Sequence, residues 1–358
     1  MAVESISVSG YRSVRSIRLP LHRVNVIVGA NGCGKTNLYQ SIVVLAAAAR
    51  GQLATTLLRE GGMPSVIWAG PMRGKRRVAL TVALEDVSYE MAFGFVTPVP
   101  GTRFSLDPEM KTETLSVRQK SKKVVLAERK AQSAWLRDDE GNRVSYPLSL
   151  DLAESMLSQI KDPHRFEVLD LVRKQLLAWR FYHHFPTDKG SPLRSPQPGV
   201  RTPVMSGDGR DVAAALQTIR EIGDDEALDA AIEQAFPDSE LVITENDGRF
   251  GVALTSPGTY RPFGAMELSD GTLRYLCLLA ALLSPRPAPL LVLNEPETSL
   301  HEDLLAPLAK LIALASERSQ IWITTHSPRL ASLIAEDVPT EVVNIEKRDG
   351  ATVVDQSD

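Results

Sequence analysis

The chain has 358 residues, of which 40 are Lys or Arg and 44 are Asp or Glu, so its formal net charge is −4. Hydrophobic residues make up 43% of it, which indicates a globular protein with a sizeable core and excludes a disordered chain, a collagen-like chain and a small disulfide scaffold. The chain has only two cysteines, Cys33 and Cys277, which favours a reducing cytoplasm. Its longest apolar runs are about half the roughly 20 residues of a membrane-spanning helix, so we expect no membrane contact.

The N-terminal part of the chain is rich in predicted strands. Residues 4–19 alternate between apolar and polar types, and the β-branched run at 24–28 is typical of a strand buried on both faces. A helix is expected from about residue 36 to residue 50. Alternating segments between residues 76 and 147 predict further antiparallel strands. We therefore expect residues 1–150 to form an N-terminal lobe in which a β-rich subdomain surrounds the first buried strand and its helix.

The middle of the chain changes character. Apolar spacings of three and four predict amphipathic helices between residues 150 and 180, followed by a loop with five prolines at 186–203, two more helices and a hairpin. We treat residues 151–265 as an inserted helical and β region. From residue 266 to 358 helices and strands alternate, which predicts a mostly parallel sheet.

The strongest motif is the segment GANGCGKT, which follows the strand at 24–28 and opens a helix. Its glycines allow backbone N–H groups to converge on phosphate oxygens, and the helix N-terminus adds partial positive charge. Lys35 would reach the β- and γ-phosphates of a nucleotide, and Thr36 would offer its hydroxyl to Mg²⁺. The alternative interpretation is a Gly-rich turn with an exposed lysine.

A second motif is the strand LLVL followed by Asn294, Glu295, Pro296 and Glu297. Polar residues at the carboxyl end of a buried strand lie where ligands bind in open α/β sheets. Glu295 is the candidate for polarising a water molecule, and Asn294 is the candidate for the Mg²⁺ shell. A strand end that simply becomes polar at the surface is the alternative.

Two weaker signals follow from the same reasoning. Ser269 in LSDGT is a good N-cap, so the start of its helix would present N–H groups to an anion, although an ordinary helix cap explains it at least as well. His326 follows another buried strand and would contact the γ-phosphate or its water, although a lone histidine there is more often structural.

The order GANGCGKT, LSDGT, LLVLNEPETSLH and TTHS resembles the ABC-type ATPases, in particular their SMC/RecF/OLD-like branch, and the N-terminal GYRSVRSIRL is similar to the start of that family. The resemblance implies an α/β P-loop NTPase fold of the ABC/SMC-head type, with a mixed central sheet, an N-terminal antiparallel β lobe and a helical insertion. It implies ATP and Mg²⁺ as cofactors, and a head-to-head homodimer that closes composite ATP sites. No coiled-coil arms are predicted.

The resemblance also assigns site residues. Catalysis is expected at Glu295, His326 and Lys35, and metal binding at Thr36 and Asn294. Nucleotide binding is expected at Arg12, Ser13, Asn31, Gly32, Cys33, Gly34, Lys35, Thr36 and Asn37 of one subunit and at Ser269 and Gly271 of the other. Ser299 and His301 are expected to approach the composite sites when the dimer closes.

Two features depart from the family pattern. Asn294 stands where a Walker B aspartate is usual, so it brings no negative charge and turnover is expected to be reduced. No clear Q-loop glutamine is found, because Gln52 lies too close to the phosphate loop. The leading hypothesis is an ATP hydrolase, and the main alternative is a non-hydrolysing dimerisation switch that recruits a partner.

Basic segments suggest a further partner. Residues 73–77 read RGKRR, and residues 111–130 carry seven basic against two acidic residues. Such segments track nucleic-acid phosphates or form the solvated face of a hairpin, and a DNA scaffold with incidental nucleotide is a third hypothesis. A role in DNA repair or phage defence would require a separate effector protein, because no nuclease-like acidic cluster is found. A small-molecule kinase and a transporter subunit are disfavoured.

Overall fold

The computed structural model describes residues 1–71, 76–98, 103–120 and 122–355. The chain divides into two compact units, each formed from segments that are distant in the sequence. Unit 1 comprises Met1–His22, Gly29–Trp179 and Val343–Asp358, and unit 2 comprises Arg23–Val28 and Arg180–Val342. The short segment Arg23–Val28 therefore belongs to unit 2, although its neighbours in the chain belong to unit 1.

An eight-stranded antiparallel sheet dominates unit 1. Its spatial order is β2 (Val14–Pro20), β1 (Val3–Tyr11), β4 (Arg77–Leu84), β5 (Val87–Phe95), β6 (Pro108–Gln119), β7 (Lys122–Lys130), β8 (Ser133–Arg137) and β9 (Arg143–Ser145). Every second residue of β4 from Val78 to Leu84 is buried, which is the period-two pattern of a strand with one face on the core. The antiparallel N-terminal sheet that belongs to the expected fold class is confirmed.

The described part of unit 1 also contains five helices and a hairpin, of which residues 340–342 are assigned to unit 2. The helices are α1 (Lys35–Arg50), α2 (Leu53–Arg59), α3 (Met63–Val66), α4 (Met156–Gln159) and α5 (Glu167–Ala178). Strands β17 (Thr340–Arg348) and β18 (Ala351–Val354) pair antiparallel, and β18 lies against β2. Four consecutive alanines of α1, Ala46–Ala49, are buried, because this part of the helix packs on the core along its whole circumference.

The helix expected in residues 150–160 is much shorter than the apolar spacing predicts. Only Met156–Gln159 are helical. The guanidinium of Arg129 donates hydrogen bonds to the carbonyls of Asp151 and Glu154, both at 2.5 Å, and those carbonyls are then not aligned for a helical ladder. Ser155 caps the remaining turn by accepting a hydrogen bond from the amide of Leu157 at 3.0 Å. A buried arginine thus overrides the local helical pattern.

A parallel sheet forms the centre of unit 2, in the order β10 (Arg180–Tyr182), β15 (Leu290–Asn294), β16 (Gln320–Thr325) and β3 (Val24–Val28). Around it lie α6 (Val212–Ile222), α7 (Asp225–Ala235), α8 (Asp270–Leu282), α9 (Leu305–Ser316) and α10 (Pro328–Asp337). A smaller antiparallel sheet contains β11 (Gln197–Pro198), β12 (Leu241–Asn246), β13 (Arg249–Leu254) and β14 (Phe263–Gly264). The predicted alternation of helices and parallel strands is confirmed.

The register of the parallel sheet decides which residues share its carboxyl edge. Asn294 pairs with Thr324, and Thr325 pairs with Val28. The residues that follow β15 and β16 therefore leave the sheet side by side in unit 2. Cys277 is fully buried in the core of this unit, as expected. Within the described ranges, none of the helices is both long and apolar enough to cross a bilayer.

Candidate nucleotide-binding site

The loop before α1 depends on glycine at two positions. Gly32 has a φ of +81° and Gly34 a φ of +111°, which are left-handed conformations that favour glycine. Gly34 is the N-cap of α1, and no side chain caps this helix or adds an acidic group to its first turn. No capping side chain therefore competes with an anion for the N–H groups and the positive end of the helix dipole.

The ammonium group of Lys35 lies inside the curve of this loop. Its Nζ donates hydrogen bonds to the carbonyls of Gly29 at 2.7 Å and Ala30 at 3.1 Å. The residue is only 3% exposed, so its aliphatic stem is packed within the protein. The interpretation of this segment as a turn with an exposed lysine is therefore wrong. The side chain of Lys35 is already ordered in the protein. Binding of a phosphate would therefore cost little further side-chain conformational entropy.

The remaining loop residues differ in exposure. Asn31, Gly32 and Thr36 are exposed, whereas Cys33 is buried. Among the described residues, nothing lies within 4 Å of the Cβ that an alanine would place at Gly32. The loop thus presents its backbone and the Thr36 hydroxyl outward, while the Cys33 thiol points into the protein.

Arg12, Ser13 and Asn37 form a hydrogen-bonded group beside the loop. Asn37 Nδ2 donates to Ser13 Oγ at 2.7 Å, and Arg12 Nη1 lies 3.5 Å from Asn37 Oδ1. The other end of the Arg12 guanidinium forms a 2.9 Å ion pair with Glu60. The Tyr11 hydroxyl donates to Glu60 at 2.5 Å, and burial together with the Glu60 charge raises the pKa of that phenol. Tyr11 therefore stays a neutral donor, and Arg12 is oriented by a carboxylate that no local pattern indicated.

At the carboxyl edge of the parallel sheet in unit 2, Asn294 is buried. Its Oδ1 accepts a hydrogen bond from the Thr324 hydroxyl at 2.7 Å. Glu295 follows with a φ of +48°, and its amide donates to the Thr324 carbonyl at 2.8 Å. This turn takes the Glu295 side chain out of the strand direction, which fits a polar group aimed at a ligand rather than at the core.

Glu297 is the residue of this edge whose importance the sequence did not reveal. Its Oε1 accepts hydrogen bonds from the Thr325 hydroxyl at 2.5 Å and from the His326 amide at 3.0 Å. The same oxygen lies 3.1 Å from His326 Nδ1, whereas Glu295 Oε2 lies 3.9 Å from it. The NEPE run was a signal that a second carboxylate lies here, but only the fold pairs it with the histidine.

A histidine pair stands at the same edge, directly after β10. Strand β10 is parallel to β15, with Tyr182 opposite Leu293, so His183 and His184 follow the sheet at the level where Asn294 and Glu295 begin. Burial and the neighbouring His184 lower the pKa of His183, and the charge of Glu295 opposes that shift. His183 is therefore biased towards its neutral form beside the candidate catalytic carboxylate.

The LSDGT segment begins α8 as expected. Ser269 Oγ accepts a hydrogen bond from the Thr272 amide at 3.0 Å, so the serine is a conventional N-cap. A Cβ on Gly271 would lie 2.7 Å from the Ser299 carbonyl, and Ser299 has a φ of +65°. Ser269, Gly271, Ser299 and His301 line one open cavity of about 550 Å³. Within unit 2 the fold therefore joins residues that the sequence separates by 30 positions.

A buried arginine from the Pro-rich segment holds this helix start. Arg194 donates to the carbonyls of Ala265 at 2.7 Å and Leu268 at 2.9 Å, and it pairs with Asp270 at 2.6 Å. The residue is almost fully buried although its partner Asp270 is exposed. Because the contacts span more than 70 positions of the chain, no sequence spacing indicated them.

The donor atoms of the candidate metal residues show which kind of metal ion they suit. Thr36 and Asn294 offer hydroxyl and amide oxygens, which are hard donors of the kind that Mg²⁺ prefers. In the part of the chain that the structure describes, no group of three His, Cys, Asp or Glu residues is arranged for a metal. Taken singly, each of these donors suits an ion that takes most of its ligands from phosphates and water.

The basic segments are less exposed than their sequence suggests. Residues 73–75 lie outside the described residues. Arg129 is fully buried and pairs with Glu113 at 2.8 Å, so it is not available to a nucleic acid. Lys111 pairs with Glu109 and Lys130 with Glu128. The exposed lysines at the turn between β6 and β7 are Lys120, Lys122 and Lys123.

The chain is similar to known proteins in sequence. The family described as "AAA domain, putative AbiEii toxin, Type IV TA system" matches residues 24–332. A stretch of 87 residues is 33% identical to the DNA replication and repair protein RecF of Renibacterium salmoninarum. That match covers 24% of this chain and 22% of the RecF protein, so it spans about a fifth of the length of the relative.

The fold is similar to solved Smc heads. A Smc head bound to the C-winged helix domain of ScpA has a TM-score of 0.58 and 16% identity, with 99% of this chain and 98% of that chain covered. A Smc head with an extended coiled coil, bound to the C-terminal domain of ScpA and derived from Pyrococcus furiosus, has a TM-score of 0.55 and 14% identity, with 99% and 96% covered. At these identities the likeness concerns the fold, and it confirms the expected SMC-head type of P-loop NTPase. Since the family match includes the phosphate loop, LSDGT, Glu295 and His326, the chain belongs to this AAA-domain family of P-loop ATPases.

Proposed function

We propose that the chain binds Mg·ATP at the loop Gly29–Thr36 and hydrolyses it at a low rate. The observation that carries the proposal is Lys35, whose buried ammonium lies between two loop carbonyls at the start of a helix that no side chain caps. Phosphate oxygens would replace those carbonyls as partners of the ammonium and would accept hydrogen bonds from backbone N–H groups at the start of the helix.

The other residues have distinct proposed roles. Thr36 and Asn294 hold the metal shell, and bound Mg²⁺ supplies positive charge against the β- and γ-phosphates. Glu295 orients the attacking water and takes up its proton, and His326 contacts the γ-phosphate. The rate enhancement comes from positioning and charge stabilisation rather than from covalent chemistry.

We also propose that two copies close head to head around ATP. Ser269 and Gly271 of one copy would face the nucleotide held by the other, with Ser299 and His301 beside them. Their common cavity in unit 2 supports this, because an open surface at a helix N-terminus suits a triphosphate. The proposed binding partner of the dimer is DNA or an effector protein. Lys120, Lys122 and Lys123 are exposed and are the proposed contacts for a nucleic acid.

Phosphate release and sedimentation with Mg·ATP test the proposal together. The wild type should release phosphate and form a dimer with ATP. Glu295→Gln should keep the dimer while release falls at least about 100-fold, and Ser269→Arg should prevent the dimer while each monomer still binds ATP. Wild-type protein that neither binds ATP nor changes its sedimentation would overturn the proposal.

A second candidate function is a switch without turnover, in which ATP joins two heads and recruits a partner. The observation that favours it is Asn294, which is neutral, buried and already bonded to Thr324. In this case the wild type and Glu295→Gln would dimerise equally with ATP and release phosphate equally slowly. A measurable difference in release between these two proteins would exclude the switch.

A further inference from the structure

The C-terminal hairpin of β17 and β18 contacts both ends of the phosphate loop. A Cβ on Gly29 would lie 2.5 Å from the Ile345 carbonyl of β17, and a Cβ on Gly34 would lie 2.0 Å from Thr352 Oγ1 of β18. No side chain is accommodated at either distance. Two of the loop glycines are therefore required by the hairpin, while Gly32 faces open space. All these residues belong to unit 1.

Hydrogen bonds join the hairpin to the loop in a single direction. Thr352 Oγ1 donates to the Cys33 carbonyl at 2.8 Å, so its own lone pairs are left for Ser13 Oγ, 2.7 Å away. Ser13 in turn accepts from Asn37 Nδ2 at 2.7 Å. Because each hydroxyl has one proton, the series runs from Asn37 through Ser13 and Thr352 to the Cys33 carbonyl.

The hydrogen-bonded series is buried at Thr352. Thr352 is only 1% exposed, and its amide donates to the Ser13 carbonyl at 2.8 Å. A Cys33 carbonyl that lost this donor would be left without its partner in the hairpin, and a rotation of the Cys33–Gly34 peptide would turn it towards another donor. Such a rotation would move the N–H groups that the proposed phosphate site uses.

We propose that Thr352 is a positioning residue of the nucleotide site, and that the C-terminal hairpin docks on the phosphate loop and holds it in its binding conformation. The inference rests on the proposed function. Since coupling between two binding events is reciprocal, nucleotide in the loop should stabilise the docked hairpin to the same extent that the docked hairpin favours nucleotide. The docking of β18 should therefore depend on whether the loop holds a nucleotide.

Calorimetry with Mg·ADP, which is not hydrolysed, tests this with four full-length proteins. Thr352→Val removes the hydroxyl at nearly constant shape and should weaken binding about tenfold. Thr352→Ser keeps the hydroxyl and should bind as the wild type does. Thr81→Val makes the same chemical change in β4 and is the matched control. Melting temperatures without nucleotide separate positioning from stability, because a merely structural threonine would lower the melting temperature and leave the dissociation constant unchanged.

The outcomes separate the two proposals. If the wild type does not bind Mg·ADP, the proposed function fails and this inference fails with it. If the wild type binds and Thr352→Val binds equally well, only the inference is overturned. If Thr352→Val does not fold, hydrogen exchange of the wild type with and without Mg·ADP tests the inference instead. Mg·ADP should slow exchange in residues 349–355 as well as in 29–37, and protection confined to 29–37 would overturn the hairpin coupling.

Discussion

Glu297 and His326 are in direct side-chain contact at the carboxyl edge of the unit 2 sheet. Oε1 of Glu297 lies 3.1 Å from Nδ1 of His326 and also accepts a hydrogen bond from the His326 backbone amide at 3.0 Å. Fixing Nδ1 in this way places Nε2 on the opposite side of the ring, where it is free to meet a phosphate or a water molecule. Within the described residues, the second carboxylate oxygen, Oε2, is buried without a hydrogen-bond partner.

Replacement of this carboxylate by an amide should affect turnover more than binding. Glu297→Gln keeps the shape but weakens a charge-assisted contact that orients the imidazole, so ATP hydrolysis should fall about tenfold. Mg·ATP affinity should change less than about twofold. Steady-state phosphate release and calorimetry measure the two quantities. Glu302→Gln, at an exposed glutamate paired with Arg329, is the control, and equal losses in both variants would contradict the assigned role.

The two left-handed glycines of the loop should respond differently to alanine. Gly34→Ala brings a Cβ against Thr352 and strains a φ of +111°, so it should cost about 3 kcal/mol of unfolding free energy. Gly32→Ala meets open space and should cost about 1 kcal/mol from its positive φ alone. Urea unfolding followed by circular dichroism measures both values. A Gly32 variant as unstable as the Gly34 variant would show that packing against the hairpin is not what requires Gly34.

A restored aspartate should change the magnesium requirement. Asn294→Asp adds a negative charge next to the Thr324 hydroxyl, and the concentration of Mg²⁺ that gives half-maximal phosphate release should fall by about tenfold. Hydrolysis at saturating Mg²⁺ should rise or stay level. Thr324→Val with Asn294 retained serves as the comparison, because it removes the neighbour without adding charge. An unchanged or increased Mg²⁺ requirement in the aspartate variant would place the metal elsewhere.

The buried pair in the β lobe should matter for stability alone. Arg129→Met leaves Glu113 buried without its cation and removes donors from the carbonyls of Asp151 and Glu154, so it should lower the unfolding free energy by about 3–5 kcal/mol. Arg118→Met breaks exposed pairs with Asp86 and Glu4 and should cost less than about 1 kcal/mol. Denaturant titration of both variants decides the matter. Similar losses of unfolding free energy in the two variants would show that the buried Arg129 contacts do not stabilise the fold more than the exposed Arg118 pairs do.

Local patterns predicted most of the elements correctly. The run at 24–28, the loop and helix α1 follow from β-branched residues, two glycines with positive φ and helical spacing, all of which act over a few residues. The hairpin of β12 and β13 follows from Asp247-Gly248, both of which have positive φ. The prediction failed for residues 150–160, because Arg129, more than 20 positions away, binds their carbonyls. Helical periodicity indicates which face of a segment is apolar. It does not indicate that a side chain distant in the sequence will hydrogen-bond the carbonyls that a helix would use.

The sequence by itself determined the order of the motifs, the conformation that the loop glycines require and the carboxylate that follows a buried strand, because each is a property of neighbouring residues. The tertiary structure alone decided that Thr352 meets Ser13 and Cys33, that Glu297 faces His326, and that Arg194 holds the helix at Ser269. These contacts join positions that are tens to hundreds of residues apart. A hydrogen bond depends on distances of a few tenths of an ångström, and only the packing of sheets and helices brings such distant side chains to that separation.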